Sequence, residues 1–557
     1  METMWSAHGG IGEKMSCCAP DTGRCAPQRG VGSFPQGNSN LVCSASRTDE
    51  VCASATTFWG MKQIQHWVDG SYTAGSSSRS GVVFNPATGE TTGEVSFANT
   101  EDVDIAVQSA RTAFETWRHS PLTLRQNIMF NFREMVSARS RELAETLTSE
   151  HGKTVDDALG EVQRGLEVIE FACNIAHLLK GDFSEQVSTG VDTYTIRQPL
   201  GVVAGITPFN FPTMVPMWMY PIAIACGNTF VLKPSEKDPS TSQLVAEMLT
   251  ASGLPDGVFN VLHGDKEAVN GLITHPDVAA ISFVGSTPIA RHIYETGTKN
   301  GKRVQALGGA KNHMIVLPDA DMDLAADAAV SAGYGSAGER CMAISAVVAV
   351  GDAADHLIDG VQTRIEKLTV GPGDQPGVEM GPLVTAAHLD RVKGYVDAGE
   401  QEGALLVADG RDLLVDGYEA GYFIGPTLFD NVTPEMSIYT DEIFGPVLST
   451  VRTEHFEQAI DLINRNPYGN GTAIFTNDGG AARKFQHEIE VGMVGINVPI
   501  PVPLSFYSFG GWKDSIFGSH AIYGPEGVHF YTRQKVVISR WADPIHRGVD
   551  LGFPTHG

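Results

Sequence analysis

The chain has 557 residues and a mass of 59.6 kDa, more than one hydrophobic core usually supports, so two or three domains are expected. With 42% hydrophobic and 19% charged residues it has the composition of a globular protein, not of a disordered one. A net charge of −26 repels phosphate backbones and anionic bilayers, which argues against nucleic acid or a membrane surface as partner.

Residues 1–60 are rich in Gly, Ser and Cys and show no sustained apolar period, so they read as a disordered leader ahead of a natural start at Met61. They lack the apolar core of a secretory signal and the acid-poor, Arg-rich make-up of a transit peptide. Five of the eight cysteines (Cys17, Cys18, Cys25, Cys43 and Cys52) fall here, without metal-ligand spacing. The body keeps only Cys173, Cys226 and Cys341, a usage that suits a reducing compartment and a cytoplasmic protein.

Residues 101–180 read as amphipathic helices, with Val103, Ala106, Val107, Ala110, Phe114 and Trp117 in one stripe and Val155, Leu159, Val162, Leu166 and Ile169 in another. Gly181 is expected to end the last of them, and Val191 to Gln198 to form an exposed strand. From Gln198 to Leu232 no charge occurs, but Pro208, Pro212, Pro216 and Pro221 argue against a continuous membrane-spanning helix.

Short apolar runs follow at Val202 to Ile206, Thr229 to Lys233, Val258 to Leu262 and Ala280 to Val284, spaced so that helices fit between them. That rhythm predicts a parallel, doubly wound sheet whose ligands lie beyond the strand ends. The loops there are Thr207-Pro-Phe-Asn-Phe-Pro212, Lys233-Pro-Ser-Glu236 and Gly285-Ser-Thr287. None carries a G-x-G-x-x-G or P-loop fingerprint. Lys233 and Glu236 would form a donor and acceptor set for sugar hydroxyls. Further on, Gly338-Glu-Arg-Cys341 puts a thiol between a helix ending near Tyr334 and a strand at Val347 to Val350, and Arg340 beside it favours the thiolate.

Taken in order, Pro208-Phe-Asn-Phe-Pro212, Lys233-Pro-Ser-Glu236, Phe283-Val-Gly-Ser286, Cys341 after Gly338, and Glu442-Ile-Phe-Gly-Pro446 resemble the aldehyde dehydrogenase superfamily from Met61 onward. The resemblance implies an α/β fold: a doubly wound NAD domain at 61–308 with a bridging hairpin near 181–200, a catalytic domain at 309–490, and a return to the NAD domain at 491–557 with an oligomerisation strand near Phe530 to Ile538. It further implies Cys341 as nucleophile, Asn210 with the Cys341 N–H as oxyanion hole, and NAD contacts from Thr207, Phe209, Lys233, Glu236, Ser286, Glu442 and Phe444. Lys237 could reach a ribose 2′-phosphate, but the resemblance favours NAD. Ala290 stands where the family turn ends in glycine, which makes Ser286 the weaker contact.

Where hydrolytic members carry Glu-Leu-Gly-Gly, this chain has Ala306-Leu-Gly-Gly309, so the water-activating carboxylate is missing and a thiol such as coenzyme A is the expected acyl acceptor. Together with Ala310-Lys-Asn-His313, Gly338-Glu-Arg-Cys-Met342 and Tyr507-Ser-Phe-Gly-Gly-Trp-Lys513, this resembles the CoA-acylating branch that acts on malonate and methylmalonate semialdehyde. That branch implies Arg164 and Arg340 as a clamp for the substrate carboxylate, and homotetramers built as dimers of dimers. The alternative is a hydrolytic enzyme releasing free acid. No metal is expected.

Overall fold

The structure is a computed structural model, and it describes residues 61–541; the leader expected at 1–60 lies outside the described residues. After short strands between Lys62 and Ser96 come four helices, Thr100–Trp117, Leu122–Ala138, Ser140–His151 and Val155–Cys173. Asn99 caps the first through a reciprocal pair with Asp102, and Thr154 caps the fourth by accepting from the Asp157 N–H. Each buries the expected stripe: Val103, Ala106, Val107 and Ala110 are sealed in the first, Val162, Leu166 and Ile169 in the fourth. The last short helix ends at Leu178, before Gly181.

Two parallel sheets dominate. In the first, the strands Arg303–Leu307, Val278–Val284, Val202–Ile206, Thr229–Lys233 and Phe259–Val261 lie side by side in that order, all parallel. Antiparallel strands extend both edges, Ile516–Phe517 at one and His66–Val68 with Ser71–Thr73 at the other. Val202–Ile206 is central and fully buried, and the chain winds away from it in both directions. The switch point therefore falls between Val202–Ile206 and Val278–Val284, where a doubly wound sheet opens a crevice.

The second sheet runs Leu405–Ala408, Thr427–Asp430, Val447–Thr453, Ile344–Val350, Asn312–Val316, Gly471–Phe475 and Met493–Ile496. All its pairings are parallel except that of the edge strand Leu405–Ala408. Between Leu307 and Asn312 the chain passes from one sheet to the other, so Gly308, Gly309, Ala310 and Lys311 lie at the junction. A third, three-stranded sheet pairs Val191–Pro199 with Phe183–Ser188 and with Thr532–Arg540. The late strand thus begins at Thr532, because residues 524–530 are helical.

The uncharged stretch needs a correction. Pro216 and Pro221 do not break it: both sit inside the buried helix Met214–Ala225. Pro216 occupies the first turn, where its missing N–H has no partner to lose, and Pro221 forgoes one interior hydrogen bond. Twelve residues rise only about 18 Å, too short for a bilayer. Among the described residues, no helix is long and apolar enough to cross a membrane.

Candidate active site

A cleft of about 510 Å³ opens at the switch point, and its walls include Phe209, Asn210, Lys237, Ser286, Cys341, Glu442 and Phe444. Seven of the residues singled out from sequence therefore meet in one place. Thr207, Lys233, Glu236, Arg164 and Arg340 are not among its wall residues.

Cys341 is delivered by a turn that only particular residues can make. After the helix Met322–Tyr334 the backbone turns left-handed at Ser336, Ala337 and Gly338, with φ of 53°, 51° and 72°. A Cβ at Gly338 would stand 2.2 Å from the Gly445 carbonyl oxygen, so glycine is obligatory there. Ser336 and Ala337 hold a conformation that costs non-glycine residues energy, strain of the kind that gathers at functional sites. The Cys341 carbonyl accepts from Asn312 Nδ2 at 2.9 Å and from Asn470 Nδ2 at 3.1 Å, which pins the turn from the second sheet.

Burial pushes the Cys341 thiol up to about 12, and the Glu442 carboxylate adds to this. The backbone N–H groups of Cys341 and Met342, and then Arg340, work the other way without winning. Arg340 spends its charge elsewhere: its Nη2 lies 2.6 Å from Asp157 Oδ1. Burial favours the neutral form of Asp157, yet Arg340 and Lys153 outweigh it and hold that carboxyl below its usual range. The expected activation of the thiol by its neighbouring arginine is therefore largely cancelled, and the resting cysteine is a thiol.

Asn210 lies in the loop after Val202–Ile206 and is 3% exposed. Its Nδ2 has no hydrogen-bond partner, as an oxyanion donor awaiting charge would be. The loop is held from below by a buried ion pair that sequence reasoning missed. Lys153 Nζ is 2.7 Å from both the Asn210 carbonyl oxygen and Glu161 Oε2, and both charged side chains are fully sealed. Glu161 Oε1 in turn accepts from the Thr213 and Met214 N–H groups at the start of the buried helix. The signal was present: Glu161 sits three residues after Ala158 on the face that packs inward.

Several features fit a dinucleotide. The helix Thr287–Lys299 points its N-terminus, with Ser286 as N-cap, into the cleft, an arrangement suited to phosphate. Ala290 is fully buried in its first turns and leaves that cap in place. Gly308 and Gly309 form a cradle that side chains would fill: a Cβ at Gly309 would lie 2.3 Å from Glu442 Oε2. Glu442 is aimed by the Ala310 N–H, 2.9 Å from its Oε1, while burial pushes its carboxyl up. Lys311 braces that segment by donating to the Ile438 and Asp441 carbonyls at 2.7 and 2.8 Å.

Lys233 and Glu236 pair at 3.0 Å at the end of Thr229–Lys233, and the lysine holds the carboxyl below its usual range against its burial. A carboxylate there suits ribose hydroxyls and repels a 2′-phosphate. Lys237 faces the other way, its Nζ 4.2 Å from the Phe209 ring centre. Thr207 is buried with an unpartnered hydroxyl.

The two arginines expected to grip a carboxylate are held separately. Arg164 pairs with Glu167 at 2.8 Å and donates to the Pro503 and Val502 carbonyls at 3.0 and 3.3 Å. The Tyr523 hydroxyl donates to the same Pro503 carbonyl at 2.9 Å, so Arg164 and Tyr523 share one acceptor. Ala306, in the position of the hydrolytic carboxylate, is fully buried in the apolar cluster with Phe283 and Val304, away from the cleft wall. Asp441 and Glu442 are the carboxylates that line the cleft.

One cleft at the sheet switch point thus brings together a thiol, an unpartnered amide donor and a helix N-terminus. The chain belongs to the aldehyde dehydrogenase family, whose model matches residues 72–537. It is 54% identical to the malonate-semialdehyde dehydrogenase of Pseudomonas aeruginosa, over 89% of this chain and 100% of that protein. It is 48% identical to the acylating, mitochondrial methylmalonate-semialdehyde dehydrogenase of Arabidopsis thaliana, over 88% and 81%. A Sinorhizobium meliloti protein crystallised with NAD superposes with a TM-score of 0.86 at 53% identity, covering 87% of this chain and 99% of that one.

Proposed function

We propose that the chain oxidises malonate or methylmalonate semialdehyde with NAD, with loss of the substrate carboxylate as CO2, and transfers the acetyl or propionyl group to coenzyme A. The observation that carries the acyl transfer is Ala306: the position that would activate water holds a buried methyl group. The names of the relatives, malonate- and methylmalonate-semialdehyde dehydrogenase, support the substrate class.

Cys341 gives up its thiol proton to solvent as Sγ attacks the aldehyde carbon, and the oxygen that becomes negative is met by Asn210 Nδ2 and the Cys341 N–H. NAD, when bound, supplies the acceptor for the hydride of the resulting thiohemiacetal. The carboxyacyl group stays on Sγ as a thioester; its bond to the carboxylate carbon then breaks, CO2 leaves, and a proton from water takes its place to give the acetyl or propionyl thioester. Because the thiol sits near 12 at rest, a cationic ring in the cleft is the charge that would favour the thiolate. Lys233, Glu236, Ser286 and Glu442 would hold the dinucleotide; Arg164, and Arg340 once released from Asp157, would hold the substrate carboxylate.

The strand pairing of Thr532–Arg540 with Val191–Pro199 leaves Ile538 and Val536 exposed, an edge suited to subunit contacts in a homotetramer. A cytoplasmic enzyme fits the sparse, unpaired cysteines Cys173, Cys226 and Cys341.

The test supplies NAD with either semialdehyde and identifies the product by mass with and without CoA. Acetyl-CoA or propionyl-CoA formed in a CoA-dependent reaction is the expected result. Free acid at undiminished rate without CoA would make the enzyme hydrolytic.

A further inference from the structure

The cleft holds a titratable group that these steps leave unused. His388, in the first turn of the helix Ala386–Gln401, lines the same cleft as Cys341, with Phe209 and Phe444 packed around its ring. Its Nε2 lies 2.6 Å from the Phe444 carbonyl oxygen. A carbonyl only accepts, so the ring proton belongs on Nε2 and the neutral imidazole keeps its lone pair on Nδ1. Among the described residues no group hydrogen-bonds Nδ1, and it is not one of the sealed, unpartnered atoms, so it remains open.

Behind the ring lies a sealed acid. Glu339 Oε1 is 3.6 Å from His388 Nε2, and Glu339 Oε2 is 3.9 Å from His151 Nε2. Glu339 Oε2 and both His151 nitrogens have no hydrogen-bond partner. Glu339 stands two residues before Cys341, so one turn carries both the nucleophile and the acid that backs the histidine.

We propose that His388 is the base that takes the proton from the incoming thiol during acyl transfer, its ring oriented by the Phe444 carbonyl. The role rests on the acyl-transfer reading above. His388 Nδ1 accepts the S–H proton as the thiol sulfur bonds to the acyl carbon of the Cys341 thioester. The bond from that carbon to Cys341 Sγ then breaks, and the departing thiolate takes the proton back from His388.

The need is plain, because a free thiol titrates near about 8.5 and is mostly protonated at neutral pH. The surroundings keep the imidazole neutral and ready. Burial pushes it down, Lys237 from the loop after Thr229–Lys233 and Arg391 from its own helix push further, and the Phe444 carbonyl offsets part of this. Burial pushes Glu339 up to about 8, so at pH 7 no carboxylate traps the ring as a resting ion pair. His151 is held neutral by burial, and then by Lys153 and Lys237.

The test uses the full chain with His388→Gln, whose amide can still donate to the Phe444 oxygen, and His388→Ala, each shown to melt with the wild type. The NADH burst formed without CoA should be affected far less than turnover in both. CoA-dependent turnover at pH 7 should fall about a hundredfold. The deficit should shrink as the pH is raised toward 9 and the CoA thiol ionises unaided, and free imidazole should restore turnover to His388→Ala. Acyl-CoA from the wild type together with a pH-independent deficit, no imidazole rescue, or equal loss of burst and turnover would overturn the role of His388 alone. Free acid from the wild type would overturn the acyl-transfer reading itself, and this step with it.

Discussion

Lys153 and Asn210 are joined by a 2.7 Å hydrogen bond from the ammonium to the backbone oxygen, in a place where the lysine is fully sealed from water. The bond holds Asn210 through its main chain and leaves the side-chain Nδ2 free. Lys153→Met should therefore damage two properties at once. Leaving Glu161 buried and unpaired should cost about 3–5 kcal/mol in chemical denaturation. In the folded fraction kcat should fall at least about tenfold as the loop relaxes. Adding Glu161→Gln should recover stability but not kcat; recovery of both would make the pair purely structural.

Asn210→Ala removes a donor that has no partner in the resting protein, so stability should hold. The loss should appear in kcat, by about 10²–10³-fold, with little change in KM. A destabilised variant with normal kcat would reassign Asn210 to the scaffold.

The Cys341 thiol predicts slow alkylation of the free enzyme. With its titration pushed up to about 12, the iodoacetamide rate should be low at pH 7 and climb about tenfold per pH unit through pH 9. Glu442→Gln removes a carboxylate that opposes the thiolate and should speed the reaction at every pH. A rate already saturated at pH 7 would mean that the resting cysteine is ionised.

Arg164→Met should raise KM for malonate semialdehyde about tenfold to a hundredfold while leaving propanal nearly unaffected, because only the first carries a carboxylate. Equal changes would show that the contacts of Arg164 to the Val502 and Pro503 carbonyls serve the loop and not the substrate.

Buried histidines set an acid limit, His313 and His66 among them. Burial, reinforced by Lys311, pushes His313 down to about 3, and burial against the pull of Asp102 pushes His66 down to about 4. Both are depressed below the unfolded value of about 6.5, so their stabilisation is complete above that pH and is lost as the pH falls toward 4. Each should remove about 1.4 kcal/mol per pH unit within that window. His313→Asn should flatten the slope of stability against pH; an unchanged slope would place the acid sensitivity elsewhere.

How much of this was legible depended on whether the information was local. Val202–Ile206 and Thr229–Lys233 have the bounds read from sequence, the first an unbroken apolar run and the second an apolar core between Thr229 and Lys233. The helix Met214–Ala225 was hidden because it is buried on every side, which erases the helical period, and because Pro216 and Pro221 argue against it. Of the motif residues just beyond strand ends, Phe209, Asn210 and Ser286 line the cleft, whereas Thr207, Lys233 and Glu236 do not. The groups that hold them did not announce themselves: Lys153 reaches a carbonyl 57 residues away, and His388 reaches one 56 residues on. Arg340 was legible as a charge beside the thiol, but not as the partner of Asp157, 183 positions earlier.

The pairing of Thr532–Arg540 with Val191–Pro199 runs through nine matched positions separated by more than three hundred residues. On a ribosome, the earlier strand emerges long before its partner has been made. Its edge must wait with unpaired amides and carbonyls while the whole second sheet is synthesised. Maturation of this sheet is thus tied to completion of the chain, and a product stopped short of Thr532 would present an open, sticky ribbon.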